Sequence, residues 1–197
     1  MLASLALPAV ILIAITAMII LAVQGWRLRV SALAAQYVGV FILVAQIWPL
    51  EMAVVKLIAG WICASILGMA LASLPAEERI RSAQRTAEVA FRLMAAALIG
   101  LVVYALLPVM ARWLPGASQA QILGSLMLAG LGILNFGLSV KPLRIDMGLL
   151  SLLAGFEILY ATVEPSLLVA GMLAVTNMGI ALMGAYLILA PEMELEE

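Results

Sequence analysis

Histidine is missing from this sequence, and cysteine occurs once, at Cys63. Without imidazole, histidine ligation of haem or zinc is excluded. With a single thiol there is no internal disulfide, CxxC pair or iron–sulfur cluster. Cys63 sits in an apolar run and reads as packing. Charge is scarce too: 11% of residues are Asp, Glu, Lys or Arg, where a soluble domain carries about a quarter. Ten Lys and Arg against eleven Asp and Glu leave a net charge of −1, so no basic excess is available for nucleic acid. No glycine-rich phosphate loop, zinc motif or nucleophile–base constellation occurs, and no polar stretch is long enough to house one. The last apolar run has no lysine, which excludes a retinal Schiff base. No catalytic residue, metal or cofactor is expected of the chain itself.

What fills the chain is apolar. Of its 197 residues 66% are hydrophobic, and the mean hydropathy is +1.23. A soluble domain cannot hide that much apolar surface, so the expected class is an all-α integral membrane protein. A span needs about 20 apolar residues at about 1.5 Å rise each. Charges and prolines divide the chain into seven such runs: Leu2–Val23, Val30–Trp48, Met52–Ala72, Phe91–Met110, Gln119–Leu138, Met147–Val163 and Leu167–Leu189. The opening MLASLALPAV has no positive region and reads as a retained helix, not a cleaved signal. The longest polar stretch runs from Ser73 to Glu88.

Seven spans put the termini on opposite sides, and cationic loops indicate which. Arg27, Arg29, Arg79, Arg81, Arg85, Arg92, Lys141 and Arg144 fall in or beside alternate loops on one side; Lys56 and Arg112 fall on the other. The N-terminus is therefore expected outside, and the C-terminus in the cytoplasm. Trp48 and Trp113 stand at the expected outer ends, as interface anchors. The second and sixth runs are alike. RLRVSALAAQYVGVFILVAQIWP (Arg27 to Pro49) matches KPLRIDMGLLSLLAGFEILYATVEP (Lys141 to Pro165), with Gly39 and Gly155, and Pro49 and Pro165, at an offset of 116. Arg29 and Arg144 match at 115, hence one gap. This predicts a parallel 3+1+3 internal repeat: residues 1–72, a cytoplasmic loop plus linker helix over 73–118, a second triplet over 119–190, and an acidic cytoplasmic tail over 191–197.

Polar side chains inside the spans carry the functional reading. Glu157 lies near mid-membrane, where a charged carboxylate is expensive and is neutral, partnered or useful. Tyr160 and Glu164 follow at i+3 and i+7 and are expected on its face, so the three can pass a proton outward. The plainer reading is a protonated Glu157 bonded to a neighbouring helix. Lys56 either snorkels to the outer interface or turns inward with Gly60, Ala64 and Gly68, a small-residue ladder for close packing. Asn177 lies on a small-residue face as interhelical glue, and Gln36, Gln46, Tyr104 and Asn135 read the same way. Gly124, Gly130, Gly132 and Gly137 make the fifth run a close-packing helix.

The segments WRLRVSALAAQ, AVVKLIAGW with Lys56, LRIDMGLLSLLAGFEILYA with Glu157, and LLVAGMLAVTNMGIALMGAYLI together resemble the hydrogenase-4 component E family. Its members are seven-helix subunits related to the K-type subunit of respiratory complex I and the C-type subunit of multisubunit cation/proton antiporters. The resemblance implies a lysine in the third helix and a glutamate in the sixth, matched by Lys56 and Glu157. It also implies an acidic residue in the seventh, where Asn177 stands instead. It further implies a non-catalytic subunit in the cytoplasmic (inner) membrane, within an assembly that couples redox chemistry or an ion gradient to proton or sodium translocation. Large antiporter-like subunits and a hydrogenase-like or quinone-reducing module would be the partners. Two other functions remain open: a purely structural subunit holding antiporter-like subunits together, and an independent small transporter.

Overall fold

The computed structural model describes residues 2–74, 86–164 and 166–193. A 3-10 turn at Leu2–Leu5 leads into seven helices: α1 (Ala6–Ala22), α2 (Trp26–Val44), α3 (Leu50–Ser73), α4 (Thr86–Trp113), α5 (Gln119–Gly137), α6 (Pro142–Val163) and α7 (Leu167–Met193). Among the described residues there is no strand. Six helices, α2 to α7, are long and apolar enough to cross a membrane, while α1 is a shorter apolar helix of 17 residues. Such helices are apolar on every side, as expected where lipid and not water surrounds the bundle.

Local chemistry sets several boundaries. Ser118 and Gln121 form a capping box at the start of α5, with reciprocal bonds of 2.8 and 3.3 Å, so two orphan N–H groups are satisfied. Pro142 occupies the first turn of α6, where its missing N–H costs nothing. This starts α6 five residues before the expected Met147 and draws Arg144 and Asp146 into the helix. Similarly, α2 begins at Trp26 and ends at Val44, about one turn ahead of the expected Val30–Trp48, so Arg27 and Arg29 are helical. The expected cationic loop residues Arg79, Arg81 and Arg85 lie outside the described residues, as does most of the acidic tail.

Consecutive helices touch within each chain triplet, α1–α2–α3 and α5–α6–α7, yet α7 packs more extensively on α3 than on α6. Across the interface α1 touches α5, α2 touches α6, and α3 touches α7. The closest pair is α5 with α6, and glycine is the reason. A Cβ on Gly132 would lie 2.7 Å from the Gly148 carbonyl oxygen, and one on Gly155 would lie 2.6 Å from that of Ser125. The two backbones are therefore in direct contact, the small-residue packing of membrane helices. By contrast α4 is peripheral, touching α5 and α1; along it Arg92, Ala96 and Val103 form a single buried stripe.

Polar bonds tie the triplets together. Gln36 of α2 donates to Ser151 of α6 at 2.9 Å, and Gln121 of α5 donates to the Leu43 carbonyl at 3.0 Å. Trp48 donates its indole N–H to the Ala161 carbonyl at 3.0 Å and is 3% exposed. It is thus a tie between triplets and not the surface anchor expected; the early end of α2 folds it back onto α6. Trp113 is exposed, as an anchor requires. Tyr104, expected to join helices, is 75% exposed, because the buried stripe of α4 points elsewhere.

Candidate functional site

Near the middle of the bundle, α2, α3, α6 and α7 converge on Glu157. Its side chain is sealed from solvent, and Oε1 accepts from Lys56 Nζ at 2.7 Å and from Asn177 Nδ2 at 2.8 Å. Lys56 is 1% exposed, so it does not snorkel; it faces inward with Gly60 and lies 3.5 Å from the Ala170 carbonyl. Asn177 accepts in turn from the Tyr37 hydroxyl at 3.3 Å. The Tyr37 ring occupies the space where Gly60 would carry a Cβ. Gly60 therefore admits the ring, and the ring's hydroxyl holds the amide that holds the carboxylate.

The chemistry of this chain of contacts is specific. In an apolar interior a paired Lys and Glu attract strongly, yet both have lost their hydration, so the pair is finely balanced. Oε1 is fully engaged, while Glu157 Oε2 is buried without a hydrogen-bond partner. Oε2 is the open position for a proton. Protonation there would cancel the charge that holds Lys56, leaving the ammonium, among the described residues, only neutral acceptors: Oε1 itself and the Ala170 carbonyl. The arrangement can thus couple a proton on Glu157 to a movement of Lys56.

The other expected members lie apart. Tyr160 stacks on Phe156, with centroids 5.9 Å apart, and Glu164 is exposed at the end of α6. No hydrogen bond joins either to Glu157. Phe156 is half exposed, and as its i+4 neighbour Tyr160 is drawn to that outer side. Along the ladder, Ala64 is buried, but a Cβ on Gly68 would meet only Val30, at an ordinary 3.5 Å. Gly132 lies between α5 and α6, away from the ion pair.

Tyr37 and Asp146 were not legible as site residues. Tyr37 looks like any aromatic in an apolar run. Asp146 lies outside the apolar run Met147–Val163, although Pro142 as a helix start places it in the second turn. At the same end of the bundle Arg29, Arg92 and Arg144 are buried, each at 3–4% exposure. Arg92 and Arg144 approach Glu88 at 3.0 and 3.7 Å, and Arg92 also donates to the Leu138 carbonyl. These arginines therefore seal an end of the bundle, not open loops. Lys141 beside them is held below the usual lysine range by partial burial and by Arg144 and Arg29. Among the described residues, no three His, Cys, Asp or Glu side chains gather where a metal ion would be held. Compared with known proteins, the chain matches no family model, no curated protein and no solved structure.

Proposed function

We propose that the chain is a non-catalytic membrane subunit of a complex-I-like or membrane-bound-hydrogenase-like assembly, and that it takes part in proton or sodium translocation through Glu157. The observation that carries the reading is the buried Lys56–Glu157 pair with an open carboxylate oxygen beside it. Buried ionisable groups in membrane helices are costly and mark ion paths more often than frameworks. The kinship with the hydrogenase-4 component E family is part of this proposal and rests on the segments around Lys56 and Glu157. Antiporter-like subunits and a hydrogenase-like or quinone-reducing module are the partners it implies.

A parallel duplication of the two triplets belongs to the same reading. In its support, Gly39 packs against Ala9 and Ile13, and Gly155 packs against Ser125 and Ala129. Each of these pairs of counterparts is 116 residues apart. Gln36 also bonds Ser151 directly at a separation of 115, as residues beside a two-fold axis between copies do. With α1 counted as a seventh span, the N-terminus lies outside and the C-terminus in the cytoplasm of the inner membrane.

The test is Glu157→Gln in the assembled complex. Gln keeps an acceptor for Lys56 and Asn177 but cannot ionise. Proton or sodium transport, measured in inverted vesicles, is expected to disappear while assembly persists. Unchanged transport would favour the second reading, a purely structural subunit. The glycine-lined backbone contact of α5 with α6 and the complete enclosure of Glu157 favour that reading.

A further inference from the structure

Asp146 is the second carboxylate buried in α6, 3% exposed. Among the described residues no hydrogen bond or ion pair satisfies it, and its Oδ2 is buried without a partner. Its carboxyl group lies on the bare backbone of Gly184 in α7, in the space a Cβ there would need. It also lines a cleft of about 380 Å³ between α6 and α7, whose other walls include Ile145, Leu149, Ile180 and Met183. Met183 and Leu187 at its mouth are exposed, so the cleft opens on the outer apolar surface of the bundle.

An anionic carboxylate without donors in an apolar wall is unfavourable by several kcal/mol, so a neutral, protonated acid suits this place. The position is also suggestive. Asp146 and Glu157 are eleven residues apart, which is close to three full helical turns, so both lie on the same stripe of α6 about 16 Å apart. Asp146 is at the end of the bundle where the arginines gather, and Glu157 is at its middle. Between them lie Ser151 and Gln36, and Tyr37 with its bond to Asn177. Asp146 bears electrostatically on Tyr37 of α2 and Cys63 of α3, the buried Arg144 stands two residues before it on α6, and α7 presents no titratable group along the cleft.

We propose that Asp146 is a proton-exchanging carboxylate, open to apolar molecules through the α6–α7 cleft, and that it loads the Lys56–Glu157 centre from the arginine end of the bundle. The second half rests on the reading of Glu157 given above; the first half does not.

A lipophilic carbodiimide, dicyclohexylcarbodiimide, tests the first half in native membranes holding the complete complex. Among carboxyl groups it reacts with the protonated form, and its lipophilicity directs it to apolar sites. The acid proton moves to a carbodiimide nitrogen and the carboxyl oxygen bonds to the central carbon, giving an O-acylisourea that rearranges to the stable N-acylurea; no group leaves. Mass spectrometry is expected to find the adduct on Asp146, none at that position in Asp146→Asn, and none on Glu157, which is enclosed and paired with Lys56. Absence of an adduct on Asp146 in the wild-type chain would overturn the proposal without any variant having to fold. For the second half, Asp146→Asn should slow proton transfer at least tenfold. Normal transfer in Asp146→Asn beside lost transfer in Glu157→Gln would overturn the loading role alone. Normal transfer in both would overturn the proposed function and the loading role with it, and the labelling would then decide the first half by itself.

Discussion

At the scale of single residues, Lys56 and Glu157 are bound to each other more than to the fold. Removing one partner of a buried pair strands the other, whereas replacing both by apolar groups of similar volume is often close to neutral. Lys56→Met alone should therefore destabilise the chain by about 3–5 kcal/mol. The double variant Lys56→Met with Glu157→Met should recover most of that stability and none of the transport. Thermal unfolding in detergent, run beside vesicle transport, separates the two effects. Tyr37 acts one step further out. Tyr37→Phe removes the donor that holds the Asn177 amide while leaving the ring over Gly60 in place. It should weaken transport with little change in stability, a split that a purely packing role for Tyr37 would not produce.

At the scale of elements, the contact between α5 and α6 is made of backbone, and side chains cannot relax to absorb an added atom. Gly132→Ala should therefore separate the helices and lower the yield of folded chain sharply. Gly100→Ala in α4, where a Cβ would meet nothing within 4 Å, should be neutral or slightly stabilising, since alanine favours helix by about 1 kcal/mol over glycine. Size-exclusion yield and melting temperature of the two variants check this. Charge at the arginine end offers a second test. Because Lys141 is held below the usual lysine range in the folded chain, its charged form opposes folding. That penalty is full at neutral pH and is relieved as pH rises through the folded value toward the unfolded one. Lys141→Gln should accordingly leave stability at neutral pH unchanged or slightly raised, and the benefit should fade at alkaline pH.

At the scale of the whole molecule, the alternation of loops fixes which ends share a side. In a Cys63→Ala background, Gly116→Cys reports the α4–α5 loop and Val140→Cys the α5–α6 loop, both exposed positions. A membrane-impermeant maleimide is expected to label Gly116→Cys in intact cells and Val140→Cys only after permeabilisation. The reverse pattern would invert the proposed orientation.

The number and rough extent of the apolar helices were legible in the sequence because run length is a local quantity: charges and prolines end a span wherever they occur. Glu157 was legible as costly for the same reason, since one carboxylate in an apolar run stands out without knowledge of any neighbour. The starts of α2 and α6 were not legible from run length, because arginines and Asp146 interrupt an apolar run, whereas Gly25 and Pro142 open those helices. What only the tertiary structure decided is how each helix is turned about its axis. Helices apolar on all sides carry no pattern that assigns an inner face. The rotation is set instead where Gly60 admits Tyr37, where Gly132, Gly148 and Gly155 bring backbones together, and where Lys56 finds Glu157 101 residues away. That turn sends Tyr160 outward to Phe156, brings Asn177 in to Glu157, and leaves Asp146 on the wall of a cleft.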